Sequence, residues 1–128
     1  MTVHPERSDD YLRHILEAID RAMAYASKAG TLEAFEKDVL LQDGIVRNIG
    51  VIGEAAVKIG QADPKLVASC PTIPWREMQT MRHKLVHDYF DVDLSVVWDT
   101  VQHDLPRLAI QVRQVLHTIN AGQSGSKL

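Results

Sequence analysis

Cysteine is scarce in this 128-residue chain and long apolar runs are missing, and each absence excludes a class of protein. The one cysteine, Cys70, has no partner for an internal disulfide, which excludes a disulfide-stapled scaffold. No apolar run approaches the roughly 20 residues that a membrane-spanning helix needs. The first ten residues are polar and mixed in charge, unlike a signal peptide. These features predict a single cytoplasmic domain with one core.

An excess of positive charge is also missing. The 14 Lys and Arg residues are outnumbered by 17 Asp and Glu residues, which gives a net charge of −3. This balance argues against broad, non-specific nucleic-acid binding, because such binding depends on many Lys and Arg contacts to phosphate. Chemistry on a nucleic acid would therefore need a local basic cluster. The chain has one, since Arg82, His83, Lys84 and His87 fall within six residues.

Glycine and proline fall almost entirely between segments in which apolar residues recur at helical spacing. The longest stripe contains Ile45, Ile49, Ile52 and Ile59. We expect an all-α fold, an antiparallel helical bundle of about five to six helices over residues 8–119. Residues 1–7 are expected to form an N-terminal extension, and the Gly/Ser-rich residues 120–128 a mobile tail.

Several residues are candidates for helix ends. Gly30 fits the position after the first helix, Thr31 and Asp93 fit N-caps, and Asp63-Pro64 fits the cap and first residue of a short helix. Gly60 is expected to end the long helix.

Two further features concern helix interiors. Pro106 is expected to break or kink the last helical stretch, because proline lacks an N–H donor. Gly50 and Gly53 lie inside the long helix and indicate close packing against a neighbouring helix.

Chemically versatile side chains concentrate in the segment from residue 82 to residue 93, Arg-His-Lys-Leu-Val-His-Asp-Tyr-Phe-Asp-Val-Asp. Cleaving RNA without a metal needs a base for the ribose 2′-hydroxyl, an acid for the departing 5′-oxygen and a cation for the charged phosphorane. His87 can act as base or acid near neutral pH, and Arg82 can donate two hydrogen bonds to phosphate oxygens. The residue types therefore fit ribonuclease chemistry.

The spacing Arg-x4-His-x-Tyr, at Arg82, His87 and Tyr89, resembles the motif of HepT proteins, a branch of the HEPN superfamily. The resemblance covers about residues 8–117 and thus the whole predicted domain. Its further segments, in the family's order, are Gln42-Asp43, Arg47-Asn48, Ile52-Gly53-Glu54-Ala55-Ala56, Ile73-Pro74-Trp75, Met81-Arg82 through Tyr89-Phe90, and Val97-Trp98 through Asp104-Leu105-Pro106.

The resemblance implies a toxin of the HepT/MntA toxin–antitoxin type that cleaves RNA without a metal or another cofactor. Arg82 and His87 correspond to the catalytic pair of HEPN ribonucleases. Tyr89 corresponds to the tyrosine that a cognate MntA-type nucleotidyltransferase modifies with AMP to silence the toxin. The position after the arginine is a variable polar residue in the family and is His83 here, so proton transfer and phosphate binding both stay open for it.

Four other residues receive a supporting interpretation. Lys84, next to His83, is interpreted as a phosphate-binding residue. Arg47, Asn48 and Glu54 belong to the resembling segment and are interpreted as the rim of the cleft, although a surface salt-bridge role suits their types equally well.

Helical geometry bears on the assembly. On a straight helix Arg82 and His87 are five steps of about 100° apart, so their side chains point about 140° away from each other. One chain can direct both at one phosphate only if the helix unwinds after Val86. The other solution is a twofold dimer in which Arg and His of both chains line a shared cleft. The resemblance also implies a homodimer.

Other interpretations were open at three places. His83 and His87 have the i,i+4 spacing of a helical zinc site, but no Glu-x-x-His or cysteine set completes it, and no metal is expected. Trp75 and Trp98 fit core packing better than base stacking. The rival function is a non-catalytic nucleotide- or partner-binding HEPN module that docks a nucleotidyltransferase, and the net negative charge favours it.

Overall fold

The structure, a computed structural model, describes residues 8–85 and 91–126, except for the side chains of Arg82, Lys84, Leu85 and residues 122–126. The described residues form an all-α fold, as expected. Its helices are α1 (Ser8–Ala29), α2 (Leu32–Glu36), α3 (Val39–Ala62), α4 (Pro64–Ser69), α5 (Trp75–Leu85), α6 (Leu94–Asp99) and α7 (Leu105–Ser126). A π-helical turn, Thr100–Asp104, joins α6 to α7, so the described chain contains six separate helical runs. Among these residues no helix is long and apolar enough to span a membrane.

Helices α1 and α3 form the centre of the bundle and run antiparallel. Near one end the ring of Tyr25 lies against Gly44, and in the middle Arg21 Nε donates to Asn48 Oδ1 at 2.9 Å. At the other end Ser8 Oγ donates to Asp63 Oδ2 at 2.9 Å. Fully buried side chains of both helices fill the interface between them, and they include Leu12, Ile15, Ile19, Ile45, Ile49, Ile52 and Ile59. Each such side chain contributes roughly 2 kcal/mol of burial free energy.

The remaining helices cover this central pair. Helix α7 packs on α1 and α5 packs on α3. Phe35 of α2 is fully buried, and its ring centroid lies 5.5 Å from that of Trp98. Trp75 is buried at the start of α5, where its Nε1 donates to the Cys70 carbonyl at 3.0 Å. Both tryptophans therefore belong to the packing of the fold, as the sequence indicated.

The predicted helix ends are confirmed where a cap or a turn defines them. Gly30 follows α1 with a φ of 81°, a left-handed conformation that favours glycine. The side chains of Thr31, Asp63 and Asp93 accept hydrogen bonds from Ala34 N, Leu66 N and Val96 N at the starts of α2, α4 and α6.

The helix end predicted at Gly60 was wrong. Gly60 does not end the long helix, which continues to Ala62, where the Asp63 N–H donates to the Ile59 carbonyl. A glycine costs a helix interior only about 1 kcal/mol, and packing outweighs that cost here. Pro106 does not break the last helical stretch. Instead the preceding turn widens, because the Leu105 N–H donates to the Thr100 carbonyl five residues back. The wider π turn accommodates Pro106, which lacks an N–H donor and whose ring would crowd an ordinary α-helical turn.

The C-terminal boundary of the helical part also differs from the expected one. Helix α7 extends to Ser126, beyond the predicted domain end at residue 119. The mobility of the tail stays a prediction, and residues 1–7 lie outside the described residues.

Candidate functional site

A groove of about 750 Å³ runs along the outer face of α3. Its second wall comes from the C-terminal half of α5 and from the segment that leads into α6. The lining residues are Gln42, Asp43, Val46, Arg47, Gly50, Val51, Gly53, Glu54 and Val57 of α3, Gln79 and His83 of α5, and Val92 and Leu94. The groove therefore combines an apolar floor with charged and polar side chains at its edges.

A glycine sets the distance between the two walls. A Cβ atom added at Gly53 would lie 2.9 Å from the Met78 carbonyl oxygen, closer than real Cβ contacts come. The backbone of α5 thus rests directly on α3 one turn before Arg82 and His83. The close packing predicted for Gly53 is present, and it fixes where the last turn of α5 sits relative to the charged residues of α3.

The first turn of α5 is held just as firmly. The Pro74 carbonyl accepts from the Met78 N–H at 2.9 Å, and Trp75 Nε1 reaches back to the Cys70 carbonyl. Ile73 and Met78 are buried below it. Because α5 is anchored at its start and pressed against Gly53 in its middle, its direction is well determined up to the predicted motif.

The predicted motif starts on this helix. Arg82 belongs to α5, but its side chain and that of Lys84 are outside the described part, and His87 and Tyr89 lie outside the described residues altogether. His83 is exposed and lines the groove, and so does Val92. In the sequence, these two lining residues flank the segment that contains His87 and Tyr89.

Of the three residues predicted for the cleft rim, two line the groove and one does not. Arg47 and Glu54 are exposed and line the groove on the α3 side, opposite His83. Asn48 does not line it. It is 5% exposed, accepts from Arg21 Nε and donates to the Gly44 carbonyl at 2.7 Å. Its place is in the contact between α1 and α3.

The electrostatics of the described groove are mixed. Asp43 and Glu54 contribute carboxylates, and Arg47 and His83 contribute a guanidinium and an imidazole. Within the described residues, no three His, Cys, Asp or Glu side chains are grouped so that they could hold a metal ion. The described part of the groove therefore offers a guanidinium that can bind phosphate together with carboxylates that can bind a cation.

Sequence reasoning named Arg47, Glu54 and His83 among the residues that line the groove and missed the others, of which Gln79 and Val92 show why. Gln79 lies one helical turn before His83, so the i,i+4 spacing could have placed it on the same face. Val92 had no such signal, because its position depends on how the chain returns to the bundle after α5.

The chain is similar to known proteins over most of its length. The family model described as ribonuclease HepT-like matches residues 15–115. A protein of Thermococcus cleftensis named "Probable ribonuclease HepT" is 41% identical over 77% of this chain and 86% of its own length. A Caldanaerobacter subterraneus subsp. tengcongensis protein, whose name gives RNase as a provisional assignment, is 33% identical over 83% of this chain and 91% of its own length.

A third relative has an additional part. This Methanocaldococcus jannaschii protein is 33% identical over 89% of this chain, but the chain covers only 50% of it. Its name joins a gamma-glutamylcyclotransferase to an RNase assignment that is again provisional. No solved structure shows a significant match to this chain.

Proposed function

Because the chain belongs to the family of HepT-like ribonucleases, we propose that it is an endoribonuclease whose chemistry depends on Arg82 and His87. One observation carries the proposal. His83 and Val92, which lie on the two sides of the His87 segment, line the same groove as Arg47 and Glu54. A concave surface with a few convergent polar groups is where a substrate is expected to bind.

The proposed reaction is attack by the ribose 2′-hydroxyl on the adjacent phosphorus. His87 takes the 2′-hydroxyl proton, or in the opposite role gives a proton to the departing 5′-oxygen. Arg82 stabilises the negative charge that develops on the phosphorane. The bond from phosphorus to the 5′-oxygen breaks, which leaves a 2′,3′-cyclic phosphate and a 5′-hydroxyl. His83 and Lys84 supply further phosphate contacts, and His83 is also a candidate for proton transfer. No metal or cofactor takes part in this scheme.

The active unit proposed here is a homodimer. Arg82 lies on α5, and a straight continuation of that helix would direct His87 away from it. A twofold axis at the groove brings the basic segments of two copies together, so that both line one cleft.

Regulation is proposed to come from a second protein. A cognate MntA-type nucleotidyltransferase would attach AMP to Tyr89, two residues after His87, and so silence the ribonuclease in the cytoplasm. The pair would form a toxin–antitoxin system. The support for this step is the Arg-x4-His-x-Tyr spacing and the family, since Tyr89 lies outside the described residues.

The decisive experiment compares the purified chain with its Arg82→Ala and His87→Ala variants on total RNA. We expect each variant to lose cleavage and cell toxicity while its melting temperature stays that of the parent chain, because Arg and His side chains rarely fill an apolar core, so that their loss opens no large cavity. His117→Ala is the matched control, since His117 is exposed on α7.

Two outcomes would count against the catalytic assignment. Variants that melt like the parent chain and cleave RNA undiminished would remove Arg82 and His87 from the mechanism. A parent chain that cleaves no RNA but binds a nucleotidyltransferase would favour the rival, a non-catalytic partner-binding module, with which the mixed charge of the groove is compatible.

A further inference from the structure

Four exposed charges lie along the outer face of α3, namely Asp43, Arg47, Glu54 and Lys58. Within the described residues none of the four side chains has an ion-pair or hydrogen-bond partner. Three of them also line the groove. A face with several charges that no described residue pairs is suited to pairing with another surface.

The order of these charges is symmetric about one point of the helix. Arg47 lies three residues before Gly50, and Glu54 lies three residues after Val51. Asp43 lies seven residues before Gly50, and Lys58 seven residues after Val51. Each charge therefore has an opposite charge at the same distance on the other side of the midpoint between Gly50 and Val51. Because the steps of three and seven residues keep to one side of an α-helix, the pattern lies on a single stripe.

We infer that this face binds α3 of a second copy of the chain, antiparallel, with the twofold axis between Gly50 and Val51. Arg47 of each copy then lies opposite Glu54 of the other, and Asp43 lies opposite Lys58. A twofold axis repeats both contacts, so one dimer gains four ion pairs from two kinds of contact. The inference rests on the homodimer proposed above and names the surface and the register that form it.

The alternatives place like charges together. If the antiparallel helices slide by one heptad in either direction, Arg47 lies opposite Arg47 of the other copy, or Glu54 lies opposite its counterpart. A slide of about one turn places Asp43 opposite Glu54, or Arg47 opposite Lys58. In a parallel, in-register arrangement, each charged residue lies beside the same residue of the other copy and is repelled by it. Among slides of one turn or one heptad, the charges of α3 thus favour the proposed register, as charges flanking coiled-coil seams do.

Exposed apolar side chains on α3 also favour a partner that covers this helix. Val39, Leu40 and Val57 are exposed on α3, and Leu40 is 81% exposed. Gly50, at the proposed axis, has no side chain, so two helices can approach there at the short end of the usual 8–10 Å separation between packed helix axes. Helix α3 has 24 residues and is therefore about 36 Å long, which is enough for all four charges to meet their partners along one helix pair.

Charge reversal tests the register directly. The full chain and its Arg47→Glu and Glu54→Arg variants are weighed by sedimentation equilibrium over a range of protein concentrations. Each single change turns two attractive contacts of the dimer into repulsive ones, so we expect dimerisation to weaken by roughly tenfold or more. The double variant R47E/E54R restores opposite charges across the axis and is expected to dimerise like the parent chain.

Mixing the two single variants is the sharper measurement. An Arg47→Glu chain and a Glu54→Arg chain each repel their own kind, but one of each places opposite charges at both contacts. We expect the mixture to form dimers at concentrations at which either variant alone is monomeric. Glu17→Arg, an exposed charge reversal on α1, is the control and is expected to leave dimerisation unchanged.

The outcomes separate this inference from the proposed function. A monomeric parent chain, single variants that stay dimeric, or a double variant and a mixture that stay monomeric would each overturn the inference. If the Arg47 or Glu54 variants lose helical content, the same series with Asp43→Lys and Lys58→Asp decides, because both residues are exposed. RNA cleavage by the parent chain is measured separately, so loss of the register leaves the ribonuclease proposal standing and absence of cleavage leaves the register standing.

Discussion

Gly53 and Gly60 lie on the same helix but face different neighbours. A Cβ atom at Gly53 would meet the Met78 backbone carbonyl at 2.9 Å, whereas one at Gly60 would meet the end of the Gln79 side chain at 3.4 Å. A side-chain amide can move aside and a helix backbone cannot. Sequence reasoning identified Gly53 as a close-packing position but predicted a helix end at Gly60, because the role of each glycine depends on which atoms of α5 lie above it.

We expect Gly53→Ala to destabilise the fold by about 1–3 kcal/mol, since the new methyl group forces α5 away from α3. Gly60→Ala, the matched control, should be neutral or stabilising by up to about 1 kcal/mol, because alanine favours the helix. Urea unfolding followed by circular dichroism measures both. Equal effects of the two substitutions would contradict the close contact at Gly53.

Asn48 shows how residue type alone can mislead about a site. A polar residue beside Arg47 suited a cleft rim, but the helical phase turns Asn48 toward α1, where Arg21 donates to it. The hydrogen bond to a residue 27 positions away has no signal in the local sequence.

Asn48→Ala is therefore expected to lower the free energy of unfolding by about 1–2 kcal/mol, because it removes two hydrogen bonds of a buried side chain. RNA cleavage below the unfolding transition should stay at the parent level. Lost cleavage with an unchanged melting temperature would instead place Asn48 in the cleft.

At the scale of helices, the sequence correctly predicted the helix starts that depend on a local hydrogen bond. Thr31, Asp63 and Asp93 cap helices as expected because an N-cap depends on residues within the same turn. The end predicted at Gly60 was wrong because tertiary packing compensates for a weak helix former, and at Pro106 a π turn takes the place of a break. The all-α class followed from apolar periodicity over many residues, which single exceptions do not alter.

Asp63 connects two helices through one carboxylate. Its Oδ1 accepts from Leu66 N at the start of α4, and its Oδ2 accepts from Ser8 Oγ of α1. We expect Asp63→Ala to cost about 1–2 kcal/mol of unfolding free energy, as the loss of an N-cap does. Asp63→Asn should cost less than about 0.5 kcal/mol, because asparagine caps equally well and its amide can donate to the Ser8 hydroxyl. Thermal unfolding of the two variants distinguishes them, and a large loss in the Asn variant would show that the charge matters.

At the scale of the whole molecule, the sequence indicated the segment with the chemistry but not the surface around it. The basic cluster beginning at Arg82 was evident from composition, and α5 carries His83 of that cluster to the groove. That α3 supplies the opposite wall, with Arg47 and Glu54 facing His83, depends on the packing of α5 at Gly53. Only the assembled fold brings these distant segments together.

The proposed mechanism predicts RNA cleavage that persists in EDTA. The Arg82 and His87 pair supplies the cation and the proton transfer that a metal would otherwise provide. Product ends should be a 2′,3′-cyclic phosphate and a 5′-hydroxyl, and RNA with methylated 2′-hydroxyls should resist cleavage. Labelled RNA analysed by gel electrophoresis and mass spectrometry tests all three points. Activity lost in EDTA and restored by zinc would instead point to a metal site at His83 and His87.

Tyr89 is the position at which a second protein is proposed to control the molecule. It lies two residues after His87 and seven after Arg82, within the segment between the groove residues His83 and Val92. An attached AMP would add bulk and at least one negative charge beside the basic cluster. That charge would compete with the substrate phosphate for the same cations, by the logic of phosphorylation next to basic residues.

We therefore expect co-expression with the cognate nucleotidyltransferase to add whole AMP masses to the intact chain and to abolish RNA cleavage. Tyr89→Phe keeps the aromatic ring but removes the phenol oxygen, so this variant should gain no mass and stay active and toxic in the presence of the nucleotidyltransferase. Tyr11→Phe is a matched control, because it removes a phenol from α1 and should leave the modification unchanged. Intact-mass measurement counts the AMP groups added to the chain, and peptide mapping identifies the residue that carries them. An unmodified parent chain, or AMP mapped to another residue, would remove Tyr89 from the control of this ribonuclease.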